Sequence, residues 1–112
     1  MAQHQPLDGL FLALSDPTRR AVIGRLNRGP ATVTELAAPF EMALPSFMKH
    51  LHLLEESGWL RSEKLGRVRT CRLEPQTFAA AQGWLDEQRT IWEGRADRLE
   101  AFVTRTNKEK AE

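Results

Sequence analysis

The sequence predicts a mainly α-helical domain of five helices with one small β-hairpin. Apolar residues recur at helical spacing in five segments, and capping residues, prolines or glycines separate most of them. Helical spacing disappears between residues 60 and 73, where Gly66 is placed as a hairpin glycine would be. A chain of 112 residues has the size of one domain. We place that domain at residues 1–106 and expect a charged, frayed tail at 107–112.

The first two helices are separated by a capping sequence. Asp16 is suited to be the N-cap of the second helix and Pro17 its first residue. Gly29-Pro30 then predicts the end of that helix. The first helix carries four apolar residues at positions i, i+3, i+4 and i+7, namely Leu7, Leu10, Phe11 and Leu14.

The third and fourth helices form a helix-turn-helix pair. Thr32 and Glu35 have the spacing of a capping box, which predicts the start of the third helix. The fourth helix is expected from about Leu44 to Ser57, and Gly58 has the position of a C′ glycine. Only a short linker separates the two helices, as in a helix-turn-helix.

A long last helix is expected from Pro75 to about Thr106. Its apolar residues include a set spaced seven apart, which is the spacing of a helix that packs along another helix. That set is Phe78, Leu85, Trp92 and Leu99.

Positive charge is concentrated between the fourth and fifth helices, although the net charge of the chain is only +1. The segment from Arg61 to Arg72 contains five basic residues and one acid. Such a segment can form a local phosphate-binding face on a nearly neutral protein. We expect Lys64, Arg67 and Arg69 to contribute to it.

The N-terminal half of the fourth helix has an outer face without acids. If Phe47, Leu51 and Leu54 face the core, Lys49 and His52 face away from it. Recognition helices contact base edges with their N-terminal residues, where a carboxylate would repel phosphates. The pattern therefore favours DNA binding over an ordinary solvated surface.

Three segments, LALSDPTRRAVIGRL, ATVTELAAPFEMALPSFMKHLHLLEESGWL and GRVRTCRL, resemble the ArsR family of bacterial winged-helix repressors. The segment WLDEQRTIWEGRADRLEAF is similar to a subgroup with a long, tryptophan-containing last helix. The resemblance implies a winged helix-turn-helix fold, a homodimer through the first and last helices, and a repressor that reads an inverted repeat in operator DNA. It leaves open a small-molecule inducer of unknown identity.

The resemblance also implies where DNA and the second subunit bind. Ala43 stands where the family usually has a serine, so the fourth helix lacks a side-chain N-cap. The expected DNA-binding residues are Thr34, Leu44, Pro45, Ser46, Met48, Lys49, His52, Lys64, Arg67 and Arg69. The expected dimer contacts are Leu7, Leu10, Phe11, Leu14, Phe78, Leu85, Trp92 and Leu99.

We expect no metal, cofactor or catalytic site. The cysteine pair of the family's arsenic and cadmium sensors is absent, the last helix has no histidine, and His50 and His52 point apart on a helix. No serine or cysteine has a suitable partner histidine, and no glycine-rich phosphate loop occurs. Cys71 is expected to be a buried apolar residue, unless Arg69 or Arg72 lowers its pKa and makes it redox-active.

The single cysteine, the missing secretory signal and the lack of a membrane-spanning segment predict a cytoplasmic protein. Two alternatives to a plain repressor stay open. One is a winged-helix module that binds proteins rather than DNA, which the near-zero net charge and apolar residues near the outer face would suit. The other is a repressor that responds to oxidants or a small ligand.

Overall fold

The computed structural model describes residues 7–111, without the side chains of Ala96 and residues 106–111. It contains the five predicted helices and the predicted hairpin. The elements in chain order are α1 (Leu7–Ala13), α2 (Pro17–Leu26), β1 (Ala31–Thr32), α3 (Val33–Ala37), α4 (Leu44–Glu56), β2 (Leu60–Leu65), β3 (Val68–Leu73) and α5 (Pro75–Ala111).

The chain divides into two compact units, with the boundary inside α5. The first unit ends at Ala81 and contains α1 to β3 and the start of α5, and the second begins at Gln82 and is the remainder of α5. That helix continues to Ala111, beyond its predicted end near Thr106. The segment predicted to be frayed contains no glycine or proline and is rich in lysine, glutamate and alanine, which favour helix.

Two helices begin where the capping residues predict. The carboxylate of Asp16 accepts a hydrogen bond from the backbone N–H of Arg19 at 3.1 Å, and Pro17 opens α2. At α3, Thr32 Oγ1 accepts from the backbone N–H of Glu35 at 3.1 Å, and the Glu35 carboxylate accepts from the backbone N–H of Thr32 at 2.8 Å. These bonds satisfy N–H groups that would otherwise lack a partner.

The hairpin of β2 and β3 is closed by a two-residue turn after the pair Leu65 and Val68. Gly66 at the first turn position has φ 64°, which favours glycine. Gly58, which follows the C-cap Ser57 of α4, has φ 88° and ends that helix as predicted.

A third strand, which the sequence did not predict, joins the start of α3 to the hairpin. Ala31 and Thr32 of β1 pair antiparallel with Cys71 and Thr70 of β3, giving the strand order β1-β3-β2. Two residues are too few to show the alternation by which a strand is recognised. Because α3 begins directly after β1, this pairing brings the first turn of α3 beside the hairpin.

The core of the first unit is built around the inner face of α4. Phe47, Leu51 and Leu54 are buried there, as their spacing predicted. The indole N–H of Trp59, just after α4, donates to the backbone oxygen of Leu10 at 2.9 Å. This bond joins α1 to the segment that connects α4 to the hairpin.

The prediction of Leu10 as a dimer contact is wrong. Its side chain is fully buried within its own chain, so a second subunit could cover no more of it. Leu7, Phe11 and Leu14 are half-buried against the same core, and Leu14 lies beyond the end of α1. An apolar helix face has the same spacing whether it packs in a core or against a partner, which explains the error.

Candidate nucleic-acid interface

The N-terminal part of α4 presents an exposed surface without acidic residues. Met48 lies at its edge and is half-buried against the core. Both acids of α4, Glu55 and Glu56, are in its last turn. Ala43 makes no side-chain cap, as predicted. The exposed members of the predicted DNA-binding set on α4 are Leu44, Pro45, Ser46, Lys49 and His52.

A groove of about 390 Å³ lies between this helix, the start of α3 and the wing, by which we mean β2, β3 and the turn between them. Thr34 and Met48 contribute to it from the helix-turn-helix, and Lys64, Arg67 and Arg69 from the wing. None of the described residues that line it is acidic. The structure thus brings five of the predicted DNA-binding residues to one positively charged groove.

Lys64 and Arg67 are the groove cations that remain available for a ligand. Both are exposed, and neither side chain makes an ion pair or hydrogen bond with another residue in the described part of the chain. Lys64 is also directly opposite Arg69 in the β2–β3 ladder. Like charges at such a position destabilise a hairpin, so an anion between them would relieve repulsion.

Two cations of the basic segment are neutralised by the protein itself. Arg61 donates to the carboxylate of Glu74 at 3.0 Å, and Arg72 lies 3.5 Å from the carboxylate of Glu63. Of the five basic residues in this segment, three therefore line the groove and two form ion pairs within the protein. The sequence alone did not predict these pairs, because they depend on the strand register.

Arg69 is held by the wing and by α4 together. Its Nη1 donates to Ser62 Oγ at 2.8 Å, and that hydroxyl donates to the carboxylate of Glu55 at 3.2 and 3.3 Å. Ser62 and Glu55 were not predicted from the sequence, because they meet only where the folded hairpin lies beside the last turn of α4.

A second cluster supports α4 from α2. His50 Nδ1 on α4 lies 3.0 Å from Nη1 of Arg19 and 3.8 Å from the carboxylate of Asp16. Burial raises the pKa of Asp16, but the backbone N–H groups of Arg19 and Thr18 and the nearby positive charge of Arg19 outweigh it, so that its pKa lies below the ordinary value. His50 is half-buried. The role of Arg19 was not predicted.

Cys71 is a buried thiol in β3, 1% exposed. Burial raises its pKa, the nearby Glu55 adds to that effect, and the charge of Arg69 only partly opposes it. Its environment is therefore the opposite of one that activates a thiol. Among the side chains that the structure describes, no group of three or more histidine, cysteine, aspartate or glutamate residues could hold a metal ion.

The predicted dimer residues of α5 fall in both units. In the first, Phe78 packs edge-to-face on Trp59, with ring centroids 5.1 Å apart. In the second, Leu85, Trp92 and Leu99 are each more than half exposed. No helix in the described part of the chain combines the length and apolar character needed to cross a bilayer.

Comparison with known proteins assigns the family. A helix-turn-helix domain family matches residues 14–63. The HTH-type transcriptional regulator Rv2034 of Mycobacterium tuberculosis is 34% identical over 86 residues, which cover 77% of this chain and 80% of that protein. The arsenical resistance operon repressor of Escherichia coli is 33% identical over 95 residues, covering 84% of this chain and 79% of that protein.

Solved structures agree with the sequence comparison. The crystal structure of an ArsR family transcriptional regulator has a TM-score of 0.77 and 65% sequence identity, and the match covers 83% of this chain and 97% of that one. An ArsR-like transcriptional regulator from Rhodococcus is 26% identical with a TM-score of 0.74, over 86% of this chain and 91% of the other. The chain therefore belongs to the ArsR family of helix-turn-helix transcriptional regulators.

Proposed function

We propose that this protein is a cytoplasmic, homodimeric repressor that binds an inverted repeat in operator DNA. In this proposal α4 occupies the major groove and the wing lies against the neighbouring groove or its phosphates. The supporting observation is the groove lined by Thr34, Met48, Lys64, Arg67 and Arg69, which has no acidic lining residue and lies beside the exposed face of α4. A helix that enters the major groove can contact base edges, and a basic hairpin beside it can contact the phosphates of the same duplex.

The residues around the groove divide into two chemical roles. Ser46 and Lys49 can donate to base edges, and the apolar Leu44, Pro45 and Met48 can contact a thymine methyl group. His52 lies one turn further along α4, where it is exposed to the same side as Lys49. Thr34, Lys64 and Arg67 supply hydroxyl and cationic groups for phosphates.

The proposed dimer is supported by the exposed apolar surface of the second unit. Several large apolar side chains there are 47–66% exposed, including Leu85, Trp92 and Leu99 at spacings of seven. Helices with that spacing bury their apolar face by packing along another helix. A second copy would supply such a helix, and two α4 helices related by a twofold axis would read half-sites about 34 Å apart.

The proposal is tested with duplex DNA from upstream of the protein's own gene. Affinity is measured by fluorescence anisotropy over a series of salt concentrations for the wild type, Arg67→Ala and Arg28→Ala. Arg28 is the matched control, because it is an exposed arginine outside the groove that makes no ion pair with any side chain that the structure describes. We expect tight, salt-sensitive binding, and Arg67→Ala should reduce the slope of log K against log salt by about one.

The same experiment separates the proposal from its alternatives. A wild-type chain that does not retain duplex DNA would favour the protein-binding module, whose supporting feature is apolar exposure at Leu44, Leu65 and Val68. Equal slopes for Arg67→Ala and Arg28→Ala would contradict the proposed role of the wing. The burial of Cys71 argues against the redox-responsive alternative.

A further inference from the structure

Arg69 differs from the other two groove cations in its contacts. The side chains of Lys64 and Arg67 have no hydrogen-bonded or ionic partner within the described residues, whereas the side chain of Arg69 donates to Ser62 Oγ at 2.8 Å. The hydroxyl of Ser62 in turn donates to the carboxylate of Glu55, whose two oxygens are 3.2 and 3.3 Å away. A cation of β3 is thus joined to a carboxylate of α4 through one hydroxyl of β2.

We propose that Arg69 is a positioning residue, which fixes the wing against the last turn of α4 through Ser62 and Glu55. This inference rests on the proposed function, because the position of the wing relative to α4 matters only if both contact the same duplex. It assigns the direct phosphate contacts of the wing to Arg67 and Lys64. Arg69, which was predicted to bind DNA, acts on binding through the geometry of the hairpin.

The position of the contacts that join Arg69, Ser62 and Glu55 supports this role. Ser62 is three residues before Leu65, the last residue of β2, so the turn lies about 10 Å beyond the point of attachment. Because Arg67 is in that turn, a small tilt of the hairpin at Ser62 would move its guanidinium away from a phosphate. The carboxylate of Glu55 is not among the groups that line the groove, so it can hold Arg69 without repelling DNA there.

Charge gives a second argument. Lys64 and Arg69 are directly opposite each other in the hairpin, and their repulsion would disfavour the arrangement. The interaction of Arg69 with Ser62 and Glu55 directs its guanidinium to the α4 side and offsets part of its charge. Lys64 is left as the free cation of the pair.

The test uses a conservative pair of substitutions at Ser62. Ser62→Ala removes the hydroxyl between Arg69 and Glu55, whereas Ser62→Thr retains it and suits a strand. We expect Ser62→Ala to weaken binding to upstream duplex about five- to tenfold with the salt slope unchanged, since no phosphate contact is lost. Ser62→Thr should bind within about twofold of the wild type. Affinity for an unrelated duplex should change less than affinity for the operator, because non-specific binding depends mainly on charge.

Glu55→Gln provides an independent variant, which keeps the size of the side chain and removes its charge. It should weaken operator binding in the same direction, and its effect should not add fully to that of Ser62→Ala, because both break one chain of contacts. Circular dichroism of each variant verifies that the fold is retained.

The outcomes distinguish this inference from the proposed function. If the wild type binds and Arg67→Ala lowers the salt slope while Ser62→Ala binds normally, the inference alone is overturned. A drop of about one in the salt slope for Ser62→Ala would also overturn it, because the loss would then be a phosphate contact. A wild type that binds no duplex would overturn both.

Discussion

Arg19 on α2 donates a hydrogen bond from Nη1 to Nδ1 of His50 on α4, over 3.0 Å. A guanidinium has no acceptor, so Nδ1 must accept and the ring proton lies on Nε2. The same guanidinium donates from Nε to the backbone oxygen of Ala13 at 2.8 Å and from Nη2 to that of Leu12 at 3.2 Å. One side chain therefore connects the end of α1 with the helix that we propose to enter the major groove.

Replacing Arg19 by alanine should destabilise the protein by about 1–3 kcal/mol, because the bonds to His50 and to two backbone oxygens are lost together. Urea unfolding of Arg19→Ala measures this loss, and Arg28→Ala should change the free energy of unfolding by less than about 0.5 kcal/mol. Equal stability of the two variants would show that the contacts of Arg19 contribute nothing.

Asp16 should make the protein sensitive to acid. Its pKa in the folded protein lies below the ordinary value of 3.8, so its contribution to stability is present above that value and is lost as the pH falls through the folded pKa. Asp16→Asn keeps an acceptor for the N-cap of α2 but does not titrate. The difference in free energy of unfolding between the wild type and Asp16→Asn should therefore shrink below pH 3.8. A difference that stays constant across that range would refute the assignment.

Ala43→Ser should stabilise the protein by about 1 kcal/mol. Ala43 has φ −63° and ψ 145°, the extended backbone of an N-cap, and lacks only the side-chain acceptor. Thermal or urea unfolding measures the gain. Ala80→Ser, an exposed position inside α5, is the control and should lose roughly half a kcal/mol or less. If both serines have the same effect, capping is not the reason.

Cys71 should be inert in the folded protein. Its side chain is buried and burial raises its pKa, so a disulfide reagent should modify it only as fast as the protein unfolds. Rapid labelling under native conditions would contradict this. Cys71→Ser should cost about 1–3 kcal/mol by burying a hydroxyl, with operator binding unchanged in the folded fraction.

Local signals account for most of what the sequence predicted. The caps of α2 and α3 depend on residues three apart, and the hairpin depends on a glycine in a tight turn, so Asp16, Thr32 and Gly66 could be recognised from neighbouring residues. Lys64, Arg67 and Arg69 were predicted because an acid-free helix precedes a basic segment, whereas Thr34 and Met48 were predicted from the resemblance to the ArsR family. The residues that hold those elements in place could not be predicted in this way.

What the sequence did not reveal depends on contacts between distant segments. The strand β1 has no pattern of its own and is stabilised by pairing with β3. From the sequence, Arg61 and Arg72 cannot be distinguished from Arg67, because all three are arginines of one basic segment. The register of the hairpin determines that Arg61 pairs with Glu74 and Arg72 with Glu63. Leu10 shares the spacing of its neighbours, yet the core of its own chain buries it completely.

The central claim is that the side of the protein with the wing and the N-terminal face of α4 contacts DNA. It can be tested by attaching a DNA-cleaving iron chelate to a cysteine at Leu65, which is 79% exposed next to the turn of the wing, while buried Cys71 stays unlabelled. We expect Leu65→Cys to cleave bound upstream duplex at two symmetric sites, and the same label on Arg28→Cys to cleave weakly. Bound DNA that is cleaved equally by both, or only from position 28, would contradict the account.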